Sequence, residues 1–162
     1  MSNKVLTQTA IFVRNLLVIS ETQIKIGRVN WDIADMTTSY IAIDTVSPAT
    51  RVSLGDHFDS DNDNEIYYEE WQTPIIISFY GDDAYTNANK FRLSLRSENS
   101  RVLQESLSLA VYAATSLIDI KNLTGTKFNN RLDLSLNVNY TTQLSVEAES
   151  LLEAQTEVLN NK

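Results

Sequence analysis

Residues Arg131 to Tyr140 read RLDLSLNVNY. In an extended chain Leu132, Leu134, Leu136, Val138 and Tyr140 fall on one side, and Asp133, Ser135, Asn137 and Asn139 on the other. On a helix the same apolar residues would spiral round the axis, so the two-residue period specifies a strand with one buried face. The strand is expected to run on through Thr141 to Val146. Its hairpin partner is either Ile66 to Tyr80 or Ser116 to Lys121, and the rest of the chain has to supply the apolar cover.

Upstream, Leu6, Ala10, Val13 and Leu17 recur at helical spacing, with Lys4, Gln8, Arg14 and Asn15 for a wet face. They predict a helix over roughly residues 4 to 18. QIKIGRV, from Gln23, is a short strand or an extended lead into a loop. Asn30 to Ser39 is polar and turn-prone. YIAIDTV, from Tyr40, is a strand stopped by Ser47 and Pro48.

Arg51 to Gly55 reads as a brief strand, and Gly55 to Asn64 as an exposed acidic loop, because closely spaced like charges repel. From Ile66 to Tyr80 β formers dominate. Pro74, which has no N–H, is expected at an edge, at a bulge or between two strand segments, with Ile75 to Tyr80 the better buried half.

Gly81, Asp82 and Asp83 close that strand and open a helix carrying Ala84, Ala88, Phe91 and Leu95, with Asp82 or Asp83 as cap and Tyr85 at the margin. Arg92 and Arg96 suit its C-terminal end. A second helix is expected to place Leu103, Leu107, Ala110 and Val111 on one face, capped by Ser100. Ser116 to Lys121 is a short strand and Asn122 to Asn130 a connecting turn. Residues 147–162 favour helix by propensity, or a final edge strand.

The 162 residues, 43% of them hydrophobic, support one domain with a real core. A net charge of -8 argues against a general binder of phosphate backbones. With no cysteine and a single histidine, disulfides, thiolate sites and a histidine-built zinc site are excluded, and no cofactor is expected. The N-terminal twenty residues interrupt their apolar content at Gln8, Arg14 and Asn15. They hold neither a signal-peptide core nor a bilayer span, so a soluble protein made in the cytoplasm is expected, with no membrane partner.

The sharpest motif is Asp59 to Glu70, which sets Asp59, Asp61, Asp63 and Glu70 at the first, third, fifth and twelfth positions of a calcium loop, with apolar Ile66 at the eighth. Asn64 replaces the usual glycine, and Glu65 to Trp71 is strand-like where a helix should leave. A calcium-dependent binding module is therefore one reading, against a solvated acidic loop. His57, beside Asp56 and Asp59, is a candidate base for a small hydrolase, yet no activated nucleophile lies nearby. Glu69 and Glu70 point to opposite faces of a strand and make no ready dyad. Gly81 and Gly125 read as turn residues. Trp31 and Trp71 are interface anchors or core residues.

Taken in order, the N-terminal helix, YIAIDTV, IIISFYGDDAYTNANKFRLSLRS with its following helix, and NNRLDLSLNVNYTT resemble the phage neck and tail-terminator proteins over approximately Leu6 to Thr142. In that family a strand ending Tyr-Gly leads into a sheet-packed helix, here at Phe79 to Ala84. An Arg-x-x-Leu-Asp-Leu type of strand corresponds to Asn130 to Leu136, with Arg131 one residue closer to the leucines. The proline-rich segment frequent before the first strand is replaced by NWDIADMTTSY.

The resemblance implies an α+β fold, a mostly antiparallel or mixed sheet with an N-terminal helix and a central helix pair on one face. It implies a non-enzymatic virion protein of the neck or tail, assembled in the host cytoplasm. Its relatives form rings, commonly hexamers, that end the tail tube and meet head-completion or connector proteins, while DNA passes without specific binding. Interface candidates are Trp31, Asp59, Asp61, Asp63, Trp71, Asp133 and Asn137.

Overall fold

The strand expected from Arg131 is present in the computed structural model as β9, Arg131–Glu147, and most of the fold is arranged along it. The structure describes residues 2–27, 39–62, 64–113, 117–120, 122–124 and 127–147. Trp31, Asp63, Gly125 and the C-terminal segment 148–162, for which the sequence leaves helix and strand open, lie outside the described residues.

In chain order the elements are α1 (Ser2–Leu17), a 3-10 turn (Glu21–Gln23), β1 (Ile24–Ile26), β2 (Tyr40–Thr45), β3 (Thr50–Asp59) and β4 (Asn64–Tyr80). Next come α2 (Ala84–Ser94), α3 (Glu98–Ser106), β5 (Leu109–Ala113), β6 (Ile118–Asp119), β7 (Asn122–Thr124), β8 (Lys127–Asn129) and β9. The fold is α+β with a mixed sheet of seven strands ordered β1-β2-β4-β9-β5, to which β3 adds by pairing β4 and β6 by pairing β9. β1 lies parallel to β2, whereas β2 with β4, and β5 and β6 with β9, are antiparallel. Both segments proposed as partners of β9 therefore pair with it.

The described chain forms two compact units, Met1–Thr50 with Gln72–Tyr140, and Arg51–Trp71 with Thr141–Lys162. In the first, register decides the core. Ile41 faces Phe79, Ile43 faces Ile77, and Val111 faces Val138, so these residues share one side of the sheet. All are buried there, together with Ile75, Leu134 and Leu136. The helices cover that side. Phe91 of α2 meets Phe12 of α1 edge-on at 6.2 Å and Phe79 of β4 at 6.1 Å. Such pairs add to what area burial alone contributes.

Side chains from neighbouring helices also complete the ends of α1 and α3. Lys90 Nζ donates to the Leu17 carbonyl at the end of α1 (2.9 Å), placing a cation where the helix dipole favours one. Gln8, expected on a wet face, donates instead to the Leu107 carbonyl beyond α3 (3.1 Å). Gln104 bonds both Ser100 Oγ (3.1 Å) and the Val111 N–H (2.7 Å), tying α3 to β5.

Several expectations are corrected. The cap of α3 is Ser97, whose hydroxyl accepts from the Ser100 N–H (3.1 Å), and Ser100 is buried inside the helix. Ala110 and Val111 stand on β5, because the helix ends at Ser106 and Ser108 takes a left-handed φ of 53°. Asp83 occupies the cap position of α2 without a side-chain capping bond, and its N–H donates to Ser39 Oγ.

Asn122 to Asn130 is not only a turn, since β7 and β8 pair there. Strand β4 runs unbroken through Pro74, which sits just where the β2 ladder ends and whose carbonyl accepts from the Val46 N–H (2.9 Å). The missing donor thus costs no bond within that ladder. Gly81 does make a turn: its φ is +90°, and a Cβ there would stand 2.8 Å from Ser39 Cα.

Phe91→Ala should lower the unfolding free energy by about 3–5 kcal/mol, and Ser97→Ala by about 1 kcal/mol, both read from denaturant midpoints at unchanged m-value.

Candidate functional site

Two parts of the molecule carry charge that the core does not need. The first is the ribbon of the second unit. Expected as a loop, residues Gly55 to Asp59 belong to β3, and Ser60 to Asn62 form a turn after it. Repulsion between solvated carboxylates is weak, and the strand period divides them between two faces. Cross-strand bonds offset what remains. Arg51 pairs with Glu69 (3.1 Å) and Ser53 donates to Glu70 (2.8 Å). The Tyr68 ring lies over Gly55, where any Cβ would collide with it.

At the tip, Asp59 accepts from the Asn62 side chain (2.8 Å) and the Asp61 N–H (3.1 Å). Those bonds, the Asn62 side-chain bond first, hold its carboxyl below the usual range. Glu70 lies six residues along β4 from Asn64, about 20 Å of extended chain. It is turned to Ser53, so a twelve-residue calcium loop does not close on it. Among the described residues no three potential metal ligands converge.

His57 is exposed on β3 with its ring 6.2 Å from that of Tyr68. The Ser53 hydroxyl, on the same side of the strand, is held by Glu70. Glu69 and Glu70 engage different partners and form no dyad. Trp71 is half-buried, its indole N–H shared between Glu69 and Thr142, each at 3.2 Å.

The second part is the polar side of the sheet in the first unit. Arg131 makes a bidentate pair with Asp133, both bonds 2.8 Å, and also reaches Ser78 Oγ at 3.4 Å. Its guanidinium lies 5.4 Å from the centre of the Tyr80 ring, which stacks on its register partner Tyr40 at 4.6 Å. Asp133 was expected to face water, a neighbour or a channel. It is 3% exposed, because the strand neighbour two residues away neutralises it and allows its burial. Asn137 is half-buried opposite Tyr112.

Burial raises the Tyr80 and Tyr40 phenols above their ordinary value, and the Asp133 bond raises Arg131 further. A cleft of about 240 Å³ between α1 and β1 is lined by Ala10, Ile11, Ile24 and Ile26, with Arg14 and Glu21 paired at 3.3 Å. It is smaller than usual ligand pockets and has few convergent polar groups. Among the described residues no helix is long and apolar enough to cross a membrane.

Sequence reading names Asp133 and Asn137 as interface candidates and misses the Tyr40, Tyr80 and Arg131 cluster. Its signal was the pair of tyrosines ending YIAIDTV at one side and IIISFY at the other, which meet only once the antiparallel register is known.

Arg131→Ala should cost up to about 3–5 kcal/mol by leaving Asp133 buried and unpaired, whereas Arg131→Met with Asp133→Leu should cost much less; denaturant unfolding distinguishes them. A phenol raised by folding contributes stability below its unfolded value, lost as pH rises through the folded one. Unfolding free energy should therefore fall above about pH 10. In a tyrosinate absorbance titration, Tyr80→Phe should remove a late-ionising component.

A comparison with known families gives these surfaces a context. No curated protein matches the chain. The family model described as phage neck terminator protein matches residues 9–162. That match takes in nearly the whole sequence, including β9, the polar cluster and the acidic ribbon, and the chain therefore belongs to the phage neck terminator protein family.

Proposed function

We propose that this structural protein of the phage neck forms a ring, hexameric as is common among its relatives, that ends the tail tube and offers a docking face to head-completion or connector proteins. The chain acts as one domain, 1–162. The observation carrying this reading is the ribbon of β3 and β4, which exposes Val52, Leu54 and Phe58 beside a run of carboxylates and so presents an apolar surface that no described residue covers. Surfaces of that kind are ordinarily covered by assembly.

Asp59 and Asp61 at the tip, with Asp63, Trp31, Trp71 and Asn137 of the sequence, are the residues proposed to meet a neighbour or line the channel. Asp133 contributes by holding Arg131 in place. A channel rich in carboxylates passes DNA without gripping its phosphates. The ring assembles in the host cytoplasm and is carried into the virion, and no residue turns over a substrate.

Size-exclusion chromatography with light scattering and negative-stain electron microscopy test this reading. A ring with an axial hole is expected, binding the end of preformed tail tubes. A monomer that associates with neither tube nor head-completion proteins would overturn it.

A further inference from the structure

The ring reading leaves open which surfaces meet, and two exposed stripes of this chain complement each other. On β3 the two-residue period sets Val52, Leu54, Asp56 and Phe58 on one side. Leu54 is 64% exposed, and Val52 and Phe58 are more than half exposed. Between Arg51 and Trp71 the chain carries seven carboxylates against one arginine, and that arginine is taken by Glu69.

On α2, away from the buried Ala88 and Phe91, the exposed surface carries Tyr85, Arg92 and Leu93, and Arg96 follows in the turn just beyond the helix end. Tyr85 and Leu93 are 68% and 69% exposed. Nearby cations are occupied, Lys90 by the Leu17 carbonyl and Arg101 by Glu98. Arg92 and Arg96 are exposed and make no ion pair among the described residues.

We infer that the occupant of the ribbon is a second copy of this chain. The face of β3 bearing Val52, Leu54 and Phe58 docks on the α2 stripe of the next subunit, with its carboxylates against Arg92 and Arg96. The two surfaces are different, so the contact is head-to-tail. Such contacts generate a closed ring when the rotation allows it. Apolar side chains supply the area, and opposite charge sets orientation and rejects ribbon-to-ribbon or helix-to-helix pairing. This inference rests on the proposed ring.

Charge exchange tests it in the full-length protein. Arg92→Glu with Arg96→Glu makes both stripes of a subunit negative, and Asp56→Lys with Asp61→Lys shifts the ribbon toward the positive charge of α2. Each variant alone should lose the wild-type oligomer in light scattering while keeping the circular dichroism spectrum and cooperative unfolding of a folded subunit. An equimolar mixture should regain it, as should the quadruple variant. Wild-type assembly should also weaken with added salt.

An unchanged oligomer in either single variant overturns the assignment while leaving the ring reading standing, and so does failure of both the mixture and the quadruple variant to reassemble. A monomeric wild type overturns the inference together with the ring.

Discussion

Leu134, Leu136 and Val138 can be removed from water only if every strand beside β9 adopts the matching phase, and this requirement sets the first unit. A slip of one residue would turn the whole apolar set of a strand outward. On β5 Val111 meets Val138, and farther along the sheet the apolar residues of β4 and β2 pair with one another in step. Helices then close the same side, and the Phe12, Phe79 and Phe91 contacts join one residue from each of α1, β4 and α2. The core is thus fixed by phase in the sheet before any detail of helix packing.

The helices are held by polar bonds of long sequence range as well as by burial. Lys90 and Gln8 each complete a carbonyl at the end of another helix, and Gln104 joins α3 to β5. Helix ends leave carbonyls without intrahelical partners, and burying them unpaired is costly. Side chains that would be solvated on an isolated helix therefore become internal connectors. The same logic operates on the other side of the sheet, where Arg131 makes the burial of Asp133 tolerable.

These cases also show what could be read from the sequence. Strand β9, helix α1, strand β2 and the α2 stripe follow from period alone, because one-sided burial writes itself into the order of residues. The α3 to β5 junction did not, since Leu103, Leu107, Ala110 and Val111 fit a helical face as well as a helix followed by a strand. Only the backbone reversal at Ser108 separates the two.

The acidic stretch departs from the expected loop for a different reason. Its β propensity outweighs charge repulsion, because in water the pairing of β3 with β4 costs little electrostatically. The site was legible as residue types. Their grouping was not, because Tyr40, Tyr80 and Arg131 come together only through register.

A ribbon with exposed apolar side chains invites edge pairing and aggregation unless something opposes it. Here the opposing term is carried by the same strands, in Asp56, Glu65, Glu69 and Glu70. Two ribbons approaching each other bring like charges together, and the penalty grows as the apolar surfaces lose their water, since screening fails there first. A surface of opposite sign meets the reverse condition, with attraction growing on approach. Acidity in this part of the chain therefore selects which surface can cover the apolar stripe, while adding little to the stability of the subunit itself.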